Sequence, residues 1–364
     1  MVDQTLGYCK DREIRRPPKL AETNPAELGC ATRYVYRTKD KIVDTQNICG
    51  RPSKKEIINF FTFDRAPKPR HLICFKQWTA QMVLDIINSA MNLKCCFRDT
   101  HEKRLDVLSN AKVMILQEVN EPVLNMAVSK AATLLGAYDV TIVDDVVWEH
   151  DYNGRIFSAM ADAIFVSTNT HMCVQRLAEQ SEVPVMCMRS RTHASIQALA
   201  TVMAIIEEFG TMSSVNISYL GAPHPVLNSY LLLSPMLGAN IKFKCCCDKC
   251  PVSPLLYKAS EDMTSQSHTS CEQCVTKEDV LHQTSVAIAG PTTCKKDKIK
   301  EFKLSEDILK CSCCDWIFFH TCPRGEEVDD HLFYHCKSRT FDAFENMHFI
   351  AAALMASGIR NYKF

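Results

Sequence analysis

"FFHTCPRGEEVDD", residues 318–330, carries an apolar run into His320, Pro323 and Arg324 and then turns acidic. With the residues before it, "WIFFH" (316–320) reads as a short buried strand whose polar tail starts where the strand stops. What lies around it decides the fold. "VNISYL" (215–220), "NIKFK" (240–244) and "SVAIA" (285–289) read as further buried strands, with a helix near 226–237. Upstream, "KVMIL" (112–116), "VTIV" (140–143), "DAIFV" (162–166) and "VPVMC" (183–187) alternate with helical spacing over 122–136, 155–161, 171–180 and about 194–208. Alternation of this kind predicts an α/β chain with two doubly wound parallel sheets. Ligands of such sheets bind beyond the carboxyl ends of strands, which is where "HTCPR" sits.

The chain has 364 residues, 46% hydrophobic and 23% charged, enough for two core-bearing domains. Its formal net charge is +0, so no global field draws it to nucleic acid or to an anionic membrane, and neither is expected as a partner. No apolar run approaches membrane-spanning length. The 20 cysteines, in a long chain without an apolar signal segment, read as reduced thiols of a cytoplasmic protein. Asp3, Asp11 and Glu13 argue against a mitochondrial presequence. Residues 1–70 stand apart: six of the fifteen prolines and an excess of six positive charges fall there, without sustained apolar periodicity. Such a stretch cannot offset its ordering entropy alone, so it is either disordered or an arm laid on another surface, with "FFTF" (60–63) as its best anchor.

From His71 to Met355 the chain resembles the ornithine and aspartate carbamoyltransferase family, most of all the animal ornithine carbamoyltransferases. "DWIFFHTCPRGEEVDDHLFYHCKSRTF" (315–341) is similar to the family's "DW.F.HCLPR..EEV" region, and "FENM" follows where "AENR" is usual. "MADAIFVS", "VPVMCM", "IQALAT" and "YLGAPHPVLNS" fall in register with it. The resemblance implies a carbamoyl-phosphate domain over 71–209, an amino-acid domain over 210–340, a C-terminal helix over 341–364 that returns to the first domain, and a homotrimer.

The family's reaction, attack of an amine on the carbonyl of carbamoyl phosphate, needs cationic and N–H donors around a dianionic phosphate and groups that grip the amino acid. The family's Ser-Thr-Arg-Thr-Arg loop opens a helix and uses its N-terminus. In that register stand Glu121, Pro122, Val123, Leu124 and Asn125, so both arginines are replaced and an anion sits where phosphate would. At about 4 Å and an effective dielectric of about 20, like charges repel by about 4 kcal/mol, roughly three decades of affinity. The family's Arg after the "DA" strand is matched by Ser167, and its His-Pro-x-Gln by Ala194, Ser195, Ile196 and Gln197. His193 lies one residue early, so on the helix it points about 100° away from the needed direction. Asp-Gly-Asn-Asn becomes Ala222, Pro223, His224 and Pro225; the substrate-amine loop becomes Gly290 to Lys296 without its carboxylate; Thr321 replaces the family's Cys.

Gln197, His320, Pro323, Arg324, Glu345 and Asn346 keep their family identities. They read either as loop-supporting architecture or as a reduced site for another substrate. Two Cys-x-x-Cys pairs, Cys247 with Cys250 and Cys271 with Cys274, have the spacing of a structural zinc site. The alternative is simple cysteine richness, since Cys245, Cys246, Cys311, Cys313 and Cys314 make chance spacings common. No other cofactor is expected. Trp78, Trp148 and Trp316 read as packing residues, and "KKDKIKEFK" (295–303) as a solvated basic loop. Three function classes follow: a non-catalytic structural or interaction subunit, of a cytoskeletal assembly for instance, that grips a protein partner through its arm; an enzyme of altered substrate; and a regulatory binder without turnover.

Overall fold

The computed structural model describes residues 71–99, 104–148, 152–245, 252–292, 296–312 and 315–364. The arm expected over 1–70, and Cys247 and Cys250, lie outside the described residues. The first part holds strands β1 (Lys112–Gln117), β2 (Asp139–Val143), β3 (Ala163–Ser167) and β4 (Val185–Arg189). Its helices are α1 (Ala80–Asp99), α2 (Pro122–Leu134), α3 (Asn153–Met160), α4 (His171–Gln180) and α5 (Ser195–Phe209). All strands pair in parallel, in the order β2-β1-β3-β4. The second part holds β5 (Asn216–Gly221), β6 (Asn240–Cys245), β7 (Cys271–Gln273), β8 (Val286–Ala289) and β9 (Ile317–His320). It carries α6 (Pro225–Met236), α7 (Pro254–Ser267), α8 (Lys277–Leu281), α9 (Lys296–Phe302), α10 (Glu306–Ser312) and α11 (Asp330–Phe333). Its parallel order is β7-β6-β5-β8-β9.

Two doubly wound parallel sheets are thus present, as the alternation predicts, and each reverses direction beside its first strand. The crevices open between β1 and β3 and between β5 and β8, so the loops leaving these four strands frame any site. Strands covered on both faces read as unbroken apolar runs: central β3 and β8 and the end strand β9 are buried throughout. Two expectations need correction, and one strand was not expected. "VTIV" is an exposed edge, with Ile142 46% accessible on β2 at one end of its sheet. The basic "KKDKIKEFK" segment is largely helix α9, since Phe302 at its end is buried and draws Lys244 Nζ to 5.3 Å from its ring. The short edge strand β7 has no apolar pattern to announce it.

The last helix, α12 (Thr340–Arg360), leaves the second sheet and packs against α5, α1 and α2 of the first. Ala351, Ala352, Ala353 and Ala356 are fully buried, small side chains that let its backbone approach its neighbours closely. A buried polar cluster fixes the register: Lys94 of α1, 4% exposed, donates to Glu207 Oε1 of α5 at 2.8 Å and to Asn346 Oδ1 at 2.6 Å. Asn346 Nδ2 in turn donates to Glu207 Oε2 at 2.9 Å. Removing one partner strands a buried charge, whereas removing both charges does not. Glu207→Ala is therefore expected to destabilise the protein by about 3 kcal/mol, and Lys94→Met combined with Glu207→Leu by much less. Urea midpoints check this; equal losses in the two variants would contradict it.

Candidate functional site

Glu121 occupies the N-cap of α2 with Pro122 as the first helical residue, an arrangement suited to starting a helix after β1. Its carboxylate does not cap the helix; it forms an ion pair with Arg189 at the end of β4. The aim of Arg189 comes from a slip in the ladder: Val166 stands opposite Cys187 but Ser167 opposite Arg189, a local bulge that redirects the side chain. Burial pushes the Glu121 carboxyl above its usual range, and Arg189 opposes that push. The anion expected at this position is therefore present but neutralised. The residue that starts α2 thus brings a carboxylate to the carboxyl edge of the first sheet and turns it to Arg189, not to the helix N–H groups.

Asn125, one turn along α2, donates to Gln117 at the end of β1, and Gln117 donates to Asp144. Of the loop's other residues, Leu124 is buried in the core and Val123 faces solvent. Glu118, also after β1, accepts from Thr168 Oγ1 at 2.6 Å, Asn169 N at 3.0 Å and Trp148 Nε1 at 3.1 Å. Burial raises its pKa, but these bonds outweigh that and hold it below the ordinary value. Trp148 is thus a hydrogen-bonding strut, while Trp78 and Trp316 are buried. His193 is not helical: it precedes Ala194, the N-cap of α5, so the expected 100° offset does not apply.

In the second part the loops are stitched to each other. Ala222 N donates to Pro291 O at 2.7 Å, Gly290 N to Leu220 O at 2.7 Å and Tyr219 Oη to Ala222 O at 2.7 Å. A side chain at Gly290 would collide with Tyr219, so this close approach needs glycine. His224 caps α6 by accepting from Val226 N at 3.2 Å, and burial, Arg189 and His320 push it down to about 4.

His320 is held at both ring nitrogens. Nδ1 accepts from Cys322 N at 2.9 Å, so the ring proton lies on Nε2 and points to Glu327 Oε1 at 2.9 Å. Glu327 also accepts from Gly325 N at 2.6 Å and Thr292 Oγ1 at 2.9 Å. Burial would raise its carboxyl, but these bonds bring it down to about 2. Gln197 Nε2 donates to Thr321 O at 2.9 Å, tying α5 to the same loop, which contains the cis Cys322–Pro323 bond. Arg324 turns to α11, bonding Asp330 at 2.6 Å with its guanidinium 4.6 Å from the Phe333 ring. Glu345 is exposed on α12, and Asn346 belongs to the Lys94 cluster. Of the retained residues, His320 ends β9, Pro323 and Arg324 stand on the loop that follows it and Gln197 is tied to that loop, whereas Glu345 and Asn346 lie on α12.

Of the expected zinc ligands, Cys271 and Cys274 are described, and the structure does not bring them to one point. Three residues apart at a strand, they take opposite faces: Cys271 packs with the large core cluster beside Ser260, Cys274 with Leu220, Val280 and Phe302. Arg189 and Glu327 were not singled out from the sequence. Arg189 could have been, since it ends the strand "VPVMCMR" in an α/β chain; Glu327 lies within the acidic turn of the opening stretch.

The family description "Aspartate/ornithine carbamoyltransferase, Asp/Orn binding domain" matches residues 213–357. The mitochondrial ornithine carbamoyltransferase of Aquarana catesbeiana is 24% identical over 341 residues, 87% of this chain and 95% of that one. The ornithine carbamoyltransferase of Thermococcus kodakarensis is 30% identical over 213 residues, 56% of this chain and 67% of that one. Among solved structures, ornithine carbamoyltransferase from Pyrococcus furiosus superposes with a TM-score of 0.75 at 23% identity, covering 81% of this chain and 99% of that one. With these relatives and this pair of sheets, the chain belongs to the aspartate/ornithine carbamoyltransferase family.

Proposed function

We propose that this chain is a catalytically inactive carbamoyltransferase-family protein that serves as a structural or interaction subunit of a larger cytoplasmic assembly, such as a cytoskeletal one. The observation that carries this reading is the Glu121–Arg189 pair, which puts a carboxylate on the residue that starts α2, where the chemistry would need phosphate, and commits Arg189 to it. Support in the second part comes from Ala222 and Gly290, which offer neither amide nor carboxylate to an amino acid, and from His320, whose two nitrogens are consumed within its own loop. The relatives are named ornithine carbamoyltransferases; the reading here is that their fold is kept and their reaction is not. A second reading, a ligand bound without turnover or an altered substrate, is favoured by one observation. Asn125 Oδ1, Ser167 Oγ, Ser195 Oγ and Thr321 Oγ1 are buried without a hydrogen-bond partner among the described residues. All four stand at the matched site motifs.

The partner contact is assigned to residues 1–70, on the strength of their prolines and six excess positive charges. Self-association as a homotrimer belongs to the same reading, supported by exposed large apolar side chains on the first part, Met126 (64%), Tyr138 (81%) and Met160 (57%). No described helix is long and apolar enough to cross a membrane.

Two outcomes are expected. Citrulline and carbamoyl-aspartate assays on folded protein should stay at background, and turnover above it would overturn the inactive reading. A chain lacking 1–70 should stay folded and trimeric by light scattering yet lose co-purification with the assembly. Normal association would move the contact to the globular surface, a monomer would contradict the trimer, and unfolding would place the arm within the core.

A further inference from the structure

Away from the crevice loops of the second part, three segments distant in sequence converge on one edge of the first sheet. Cys74 precedes the short 3-10 turn Phe75–Gln77, His171 opens α4, and His193 lies in the loop between β4 and α5. One ligand atom from each of these side chains falls within 4.8 Å of the others. Cys74 and His171 are half-buried and His193 is buried, so the group is anchored on one side and reachable from the other.

The backbone around each residue is tied down. Leu72 N donates to Val185 O at 2.9 Å and Cys187 N to Leu72 O at 2.7 Å, which attaches the Cys74 segment to β4. His193 N donates to Ser190 Oγ at 3.0 Å and its carbonyl accepts from Ser190 N at 2.7 Å. The imidazoles meet edge to face at 5.2 Å. Serine hydroxyls lie beside Nδ1 of both rings, Ser190 Oγ at 3.0 Å from His171 and Ser229 Oγ at 3.4 Å from His193. An outer hydrogen bond at one ring nitrogen is what orients a metal-ligating histidine, leaving Nε2 for the ion.

We propose that Cys74, His171 and His193 form a zinc site, with the Cys74 thiolate and the two Nε2 atoms as three ligands and water in the fourth position. One thiolate and two imidazoles suit zinc, and the absence of a carboxylate from the group excludes a magnesium or calcium preference. Binding displaces one proton, from the Cys74 thiol to solvent. The ion would staple the chain, just after residues 1–70 join the described fold, to the loops that follow β3 and β4.

The test is cobalt(II) titration of chelator-treated full-length protein, read by the thiolate-to-cobalt charge-transfer band. The wild type is expected to take one more equivalent than Cys74→Ser, His171→Ala or His193→Gln, with that equivalent displaced by zinc and unchanged in Cys271→Ser. Zinc should also raise the unfolding temperature of the wild type and not that of Cys74→Ser. Far-UV circular dichroism confirms folding. Should buried His193→Gln fail to fold, the half-buried Cys74→Ser and His171→Ala decide. Equal endpoints in wild type, Cys74→Ser and His171→Ala would overturn the site.

Discussion

The Glu121–Arg189 ion pair sets the character of the crevice. A helix N-terminus offers unpaired N–H groups and a positive dipole end, and here the residue that starts α2 carries a carboxylate that it turns to Arg189. Arg189 makes this tolerable: without it, a half-buried Glu121 would be desolvated with nothing opposite. The pair joins the loop after β1 to the end of β4, so the carboxyl edge of the first sheet is cross-linked internally.

The same economy recurs on the other side. The residues that keep their family identities there bond to neighbours: His320 to Cys322 and Glu327, Gln197 to the Thr321 carbonyl, Arg324 to Asp330 and Phe333. Each contributes about as much as an ordinary hydrogen bond or ion pair, so their retention is accounted for by loop architecture. Asn346 works further away, in the Lys94–Glu207 cluster that seats α12 on the first sheet. The helix therefore couples the two parts through packing and a buried charge.

The sheets were legible because a parallel strand covered on both faces must be a continuous apolar run, as "DAIFV" and "WIFFH" are. Two end strands lack such a run: β2 is half-exposed and β7 is three polar-leaning residues. Helix α9 was hidden by its lysines, with Phe302 buried at its end. The side chains of Glu121–Asn125 were plain in the sequence. Arg189 as the partner of Glu121 was not, since 68 residues separate them and the ladder slip that aims Arg189 leaves no trace in local sequence. The meeting of Cys74, His171 and His193 is likewise a product of the fold, not of spacing.

The central claim, that the phosphate position is occupied from within, is tested most directly by calorimetric titration with a bisubstrate phosphonate that joins a phosphonacetyl group to ornithine. The account predicts no saturable heat at millimolar ligand. Saturable binding at micromolar concentration or below, with Glu121 and Arg189 unaltered, would contradict it.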